Sequence, residues 1–368
     1  MWDASRIIKH VDRWLPAYLA SRFARRTFTR PTHVLFAIAD HFEPDVGGAD
    51  VAEQLARVER WVHEYPTLAR RHRDADGCWP RYTFFYPAEA YQPQVLERLA
   101  VLCREGFGEV EVQLHHDGDT PETLACKLEQ AKRDFARHGL LARERTTGQV
   151  RFGFVHGNWA LDNSRRDGRW CGVNNELDVL RAAGCYADFT LPSAPSETQT
   201  RKINSLYYAT DDPAKSKSHD TGRDVTVGGQ GNGELLIVQG PLTLNWCRRK
   251  YGVLPRIENS ELSRWNPPTP QRVDLWVRQG IGVQGKPDWI FVKVHTHGAN
   301  PDNHDVLLGK PLEEMFSYLE SAYNDGTRFA LHYVTAREMV NLIKAAEHGA
   351  AGDPAGHRDE GFVTEVLP

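Results

Sequence analysis

Cysteine is scarce and unpatterned in this chain. Its 368 residues hold six (Cys78, Cys103, Cys126, Cys171, Cys185 and Cys247), with no C-x-x-C pair and no regular spacing. That argues against a disulfide framework and predicts reduced, mostly buried thiols. Long apolar runs are also missing. No stretch approaches the ~18–20 residues that span a bilayer, and residues 1–30 lack the uninterrupted apolar core of a secretory signal. Both absences point to a cytoplasmic protein. Charge of one sign is lacking too: the formal net charge is −4, and no basic stripe is interleaved with aromatics. Nucleic acid is therefore not expected as a partner. There is no internal repeat and no heptad pattern.

What is present is an ordinary globular composition, 40% hydrophobic and 26% charged. The length suits one elaborated α/β barrel or two smaller domains. Apolar runs of strand length fall at 33–39, 81–86, 109–114, 150–155, 186–190, 234–238, 289–294 and 328–333. Helical patterns lie between several of them, at about 50–72, 94–104, 121–138 and 175–184, and a last one at 335–347. This alternation predicts βαβ units and a parallel sheet. From about 191 to 270 it breaks down, which predicts an insertion or lid decorating one domain over 31–348. Residues 349–368, rich in Gly, Ala, Asp and Pro, read as a flexible tail.

Residues 1–30 carry Ile7, Ile8, Val11, Leu15, Tyr18, Leu19 and Phe23 at helical spacing, flanked by arginines and Lys9. A basic amphipathic helix of this kind covers a core with its apolar face, or rests on the inner face of an anionic membrane.

The chemistry-bearing residues follow the apolar runs. Asp40-His41-Phe42-Glu43 comes after the first, His115-His116-Asp117-Gly118-Asp119 after the third, His156-Gly157-Asn158-Trp159 after the fourth and His295-Thr296-His297 after the seventh. In a barrel of parallel strands the C-terminal strand ends share one face, and that face carries the site. His115 and Asp119 offer a nitrogen and an oxygen suited to zinc, manganese or cobalt, although Asp119 could equally begin the next helix. Asp40 and His41 supply a carboxylate and an imidazole pointing in different directions. Glu43 is a second base or a supporting group. His295 stands where a general acid would, with His297 beside it. His156, Asn158 and Trp159 make a mixture suited to gripping a sugar, and Arg201 lies in a polar run that could take an anion.

These ordered clusters resemble the polysaccharide deacetylase family (carbohydrate esterase family 4, the chitooligosaccharide deacetylase homology domain) over roughly residues 33–345. The resemblance implies a distorted (β/α)7-type barrel, here with an insertion after strand five, that removes N- or O-acetyl groups from sugars with one divalent metal. Asp40 would then be the base and His41 a ligand; a shift of one place makes Asp40 the ligand. The family's H-x-x-x-H motif is similar to His115 through Asp119, with Asp119 for the second histidine. Its late acid histidine is similar to His295, and Tyr333 through Met339 looks like the end of such domains. The family's Arg-x-Pro motif is not visible, and His156-Gly157-Asn158-Trp159 stands in its place.

The expectation is thus a metal-dependent hydrolase. Asp40 and His295 are its catalytic residues, and His41, His115 and Asp119 hold one zinc-like ion. Glu43, His156, Asn158, Trp159, Arg201 and His297 meet an acetylated sugar, oligosaccharide or lipid-linked sugar. The alternatives are metal-dependent hydrolysis of a glycosidic or phosphoester bond, and a non-catalytic sugar-binding or assembly protein.

Overall fold

The structure, a computed structural model, describes residues 9–23, 31–231 and 233–364. All eight expected strands form: β1 (Thr32–His41), β2 (Tyr82–Pro87), β3 (Gly108–Leu114), β4 (Val150–His156), β5 (Cys185–Asp188), β6 (Leu235–Val238), β7 (Trp289–Thr296) and β8 (Phe329–Tyr333). The helices are α1 (Val11–Phe23), α2 (Val51–Ala69), α3 (Pro93–Arg104), α4 (Pro121–Ala136), α5 (Glu176–Ala182), α6 (Pro270–Arg278), α7 (Lys310–Tyr323) and α8 (Ala336–Glu347), besides shorter turns. Among the described residues no helix is long and apolar enough to cross a membrane.

β7, β1, β2, β3, β4, β5 and β6 run parallel in that order. β1 is the hub. It pairs with β7 along Thr296 to Trp289, with β8 through its first half and with β2 through its last four residues. Such strands, buried on both faces, need the near-continuous apolar run that marks them in sequence. Alternate residues serve two different clusters. Val34, Phe36 and Ile38 join Tyr82, Phe84, Val110, Val112, Ile290 and Val292 against α2 to α7. Leu35, Ala37, Ala39, Val155, Leu236 and Phe291 face the other way and pack with Met339, Val340 and Ile343 of α8.

The expected closed barrel is not found among the described residues. β6 and β7 do not pair, so the sheet stays open. The edges that would have to meet are taken: Leu206–Ala209 pairs antiparallel along β6, and Glu261–Leu262 pairs with the end of β7. On the face opposite α2 to α7 lies α8, of whose twelve residues only Lys344 escapes burial. Lys293 of β7 spans the opening instead, its ammonium donating to the carbonyls of Phe189 and Leu191.

Two flanking segments differ from, or refine, the sequence reading. In α1, Trp14 and Tyr18 are buried against Ala194, Ile203 and Leu242, the covering arrangement, while Leu19 is left exposed; Ile7 and Ile8 lie outside the described residues. Residues 349–364 are not a loose tail. Phe362–Thr364 pairs antiparallel with Ala142–Glu144, and Arg358 reaches Asp76 at 2.6 Å, Asp74 at 3.2 Å and Glu338 at 3.5 Å. Composition missed this because the anchors are a few specific contacts, Arg358 and the strand pairing together with Arg337 and Asn341 bonding to the Phe362 carbonyl.

Candidate functional site

Parallel pairing in register sets the site. Ala39 lies opposite His295 and Asp40 opposite Thr296, so the residues that follow β1 and β7 emerge side by side. Successive strand residues point to opposite sides, which separates Asp40 from His41.

His41, Glu43 and His297 each bring one donor atom within 4.8 Å of the others. The His41 ring stacks on Trp159 (4.6 Å between centroids, 19° between planes), with the His297 ring 5.0 Å away. Its Nδ1 is buried and lacks a hydrogen-bond partner. Burial, then the neighbouring His297 and His295, push the His41 pKa well below the ordinary range, so the imidazole keeps a free lone pair. Glu43 accepts a 2.5 Å hydrogen bond from Gln113 Nε2 and lies 3.5 Å from His115 Nε2. Two imidazoles and a carboxylate with an orphaned buried nitrogen fit a divalent ion such as zinc, manganese or cobalt.

Around this set stand the groups that can move protons. His115 is about 29% exposed, and its Nδ1 is 2.5 Å from Glu89 Oε1. Burial would lower its pKa, but the hydrogen bond and charge of Glu89 outweigh that and raise it. Asp40 is fully buried. Its Oδ1 accepts from the Gly298 backbone N–H at 2.6 Å, while Oδ2 is unpartnered. Burial pushes its pKa up to about 8 against the Gly298 bond, with Glu43 adding to the rise. Behind the site, burial brings Lys293 down to about 7, and raises Asp188, whose carboxylate is held by Thr190.

The loop after β4 is strained. Trp159, Asp162 and Asn163 have φ of 61°, 55° and 50°, a left-handed conformation costing non-glycine residues ~1–3 kcal/mol each and concentrated at functional sites. Gly157 is required here for space: a Cβ would run into the His115 ring.

The structure therefore brings together His41, Glu43, His115, Trp159, His295 and His297, with Asn158 on the same loop, while Asp40 turns to the other side of β1 against the Gly298 backbone. It does not bring Asp119 to them. The Asp119 carboxylate is taken by Lys127 Nζ and Thr123 Oγ1, both at 2.7 Å, because α4 places residues four and eight positions on beside its own N-terminus. His156 is fully buried among His116 and Glu176, apart from the His41 group. Arg201 pairs with Asp220 at an exposed position. His295 is 3% exposed, its ring walled off by Trp159 at 5.1 Å. Glu89, Gln113 and Gly298 were missed in the sequence; Glu89 and Gly298 had only their position after a strand end to mark them, and Gln113 lies within β3.

No protein-family model matches this chain, and no curated protein matches it.

Proposed function

We propose that this chain is a metal-dependent hydrolase removing an N- or O-acetyl group from a carbohydrate, a divergent relative of the polysaccharide deacetylases on an opened form of their barrel. The observation that carries this reading is the convergence of His41, Glu43 and His297 at neighbouring strand ends, beside a carboxylate and an accessible imidazole.

His41, Glu43 and His297 would hold the ion, zinc in the first instance, which supplies Lewis acidity to polarise the acyl carbonyl. Asp40, oriented by Gly298 and with Oδ2 free, would accept the proton of the attacking water in its ionised form, which the fold reaches only near pH 8 and above. His115 takes the acid role expected of His295: it is reachable from solvent, and Glu89 holds it ready to protonate the leaving amine or alkoxide. Trp159, half-buried on the strained loop, presents aromatic surface to a sugar ring. Nucleotide-linked or lipid-linked acetylated sugars are the substrates to try first.

Incubation with a panel of acetylated amino sugars should release acetate. Asp40→Asn and His115→Ala should each cost ~10²–10⁴ in rate, and His41→Ala with His297→Ala should remove the bound metal from this centre. Acetate release unchanged in all three variants would discard the assignment.

A further inference from the structure

A second cluster lies deeper, and nothing in the hydrolytic reading uses it. His116, at the end of β3, and His156, at the end of β4, meet Glu176 at the start of α5 and Cys171 from the loop before it. All four are buried, and one donor atom of each lies within 4.8 Å of the other three. His116 Nε2 is 3.1 Å and His156 Nε2 3.9 Å from Glu176 Oε1, and Cys171 Sγ is 3.2 Å from Glu176 Oε2. A tetrahedron with zinc–ligand bonds of ~2.0–2.3 Å sets its donors about 3.3–3.8 Å apart, so separations of 3.1–3.9 Å from the Glu176 carboxylate need only small side-chain shifts to close on an ion.

Three further observations point to a ligand. Both ring nitrogens of His156 are fully buried without a hydrogen-bond partner, an arrangement that costs free energy unless something binds there. The Cys171 sulfur accepts backbone N–H groups from Asn163 at 3.2 Å and Val173 at 3.4 Å, bonds that would support the charge of a metal-bound thiolate. His116 Nδ1 lies 3.1 Å from Asp119 Oδ2, and Asp119 is itself fixed by Lys127. A carboxylate behind the distal nitrogen is the usual support of a metal-bound imidazole.

We propose that Cys171, His116, His156 and Glu176 form a structural zinc site, closed on all four sides and distinct from the His41 centre. One thiolate and one carboxylate balance the charge of Zn²⁺. Binding displaces the Cys171 thiol proton to solvent, along with any proton on His116 Nε2, and no electron is transferred. The ion ties the ends of β3 and β4 to the segment that precedes α5. It thereby holds the strained loop carrying Trp159.

The test uses the full chain with zinc alone as the probe. The His41→Ala/His297→Ala protein should still retain about one zinc ion per chain after dialysis. Adding His156→Ala and Cys171→Ser to it should remove that ion. Because those variants could fail to fold, cobalt(II) is also loaded into the unmutated chain and into the single Cys171→Ser variant. A thiolate-to-cobalt charge-transfer band in the first, absent from the second, supports the site. Metal uptake without that band, no retained zinc, or zinc unchanged by the added substitutions overturns it.

Discussion

The carboxylate of Asp40 accepts a 2.6 Å hydrogen bond from the backbone N–H of Gly298, joining the end of β1 to the turn after β7. The same glycine's carbonyl accepts from Trp61 Nε1 at 2.9 Å. No side chain fits there, since a Cβ at 298 would collide with Asp40 Oδ2 and crowd Trp61. Gly298→Ala should therefore cost about 1–3 kcal/mol of stability through overpacking. It should also lower acetate release by more than the unfolded fraction explains, because the base is displaced. Urea unfolding alongside turnover separates the two, and native values of both would refute the coupling.

Trp159 makes a different prediction. Its indole stacks on the His41 ring, and its outer part is solvent-accessible. Removing an aromatic partner of this kind costs about 0.5–1.5 kcal/mol beyond its buried area. Trp159→Ala should raise KM for an acetylated sugar by roughly tenfold, and Trp159→Phe should recover most of it. An alanine variant with unchanged KM would remove Trp159 from substrate binding.

The strands were legible because each is an apolar run long enough to be buried on both faces. Whether the sheet closes was not legible. That depends on the short strands Leu206–Ala209 and Glu261–Leu262 taking the edges of β6 and β7, and nothing in so short a run says which edge it joins. At the site, the order of clusters pointed to the strand ends at which His41, Glu43 and His297 gather. Which donors share a group was not legible, since spacing along a chain does not say which side of a strand end a residue takes. Asp119 shows this most plainly. Lys127, eight positions on in the helix that follows it, claims its carboxylate, a competition that helical spacing does reveal once it is asked for. Cys171 and Glu176 gave no signal, because a single cysteine has no spacing to read.

Glu111 in β3 provides a pH-dependent test away from any proposed metal ligand. Burial pushes its pKa up to about 8, against hydrogen bonds from Tyr186 Oη and from the Gly153 backbone N–H. A folded pKa above the ordinary 4.5 means that the folded state holds the proton more tightly. Its contribution is therefore fully present below about pH 4.5 and is lost as pH rises through about 8. Glu111→Gln, a neutral stand-in for the protonated acid, should gain in melting temperature relative to the parent between about pH 5 and about pH 9. A constant difference over that interval would show that the carboxyl does not titrate there.

The anchoring of the C-terminal segment can be tested through Arg358. Its guanidinium serves Asp76, Asp74 and Glu338 and donates to the Tyr333 carbonyl at 2.7 Å. Removing it leaves buried carboxylates uncompensated, so Arg358→Ala should destabilise the fold by about 3 kcal/mol near neutral pH. Truncation after residue 348 should do at least as much. Acid should shrink the penalty. Burial alone would raise the Asp76 pKa, yet the bonds from His332 and Arg358 bring it down to about 2 from 3.8. A depressed carboxylate stabilises the fold above its unfolded pKa, and that contribution fades as pH falls from about 4 towards 2. The stability gap between the parent and Arg358→Ala, followed by urea unfolding, should therefore narrow across that interval. A gap that stays constant down to about pH 2 would mean that Arg358 acts through packing of its stem and not through its carboxylate partners.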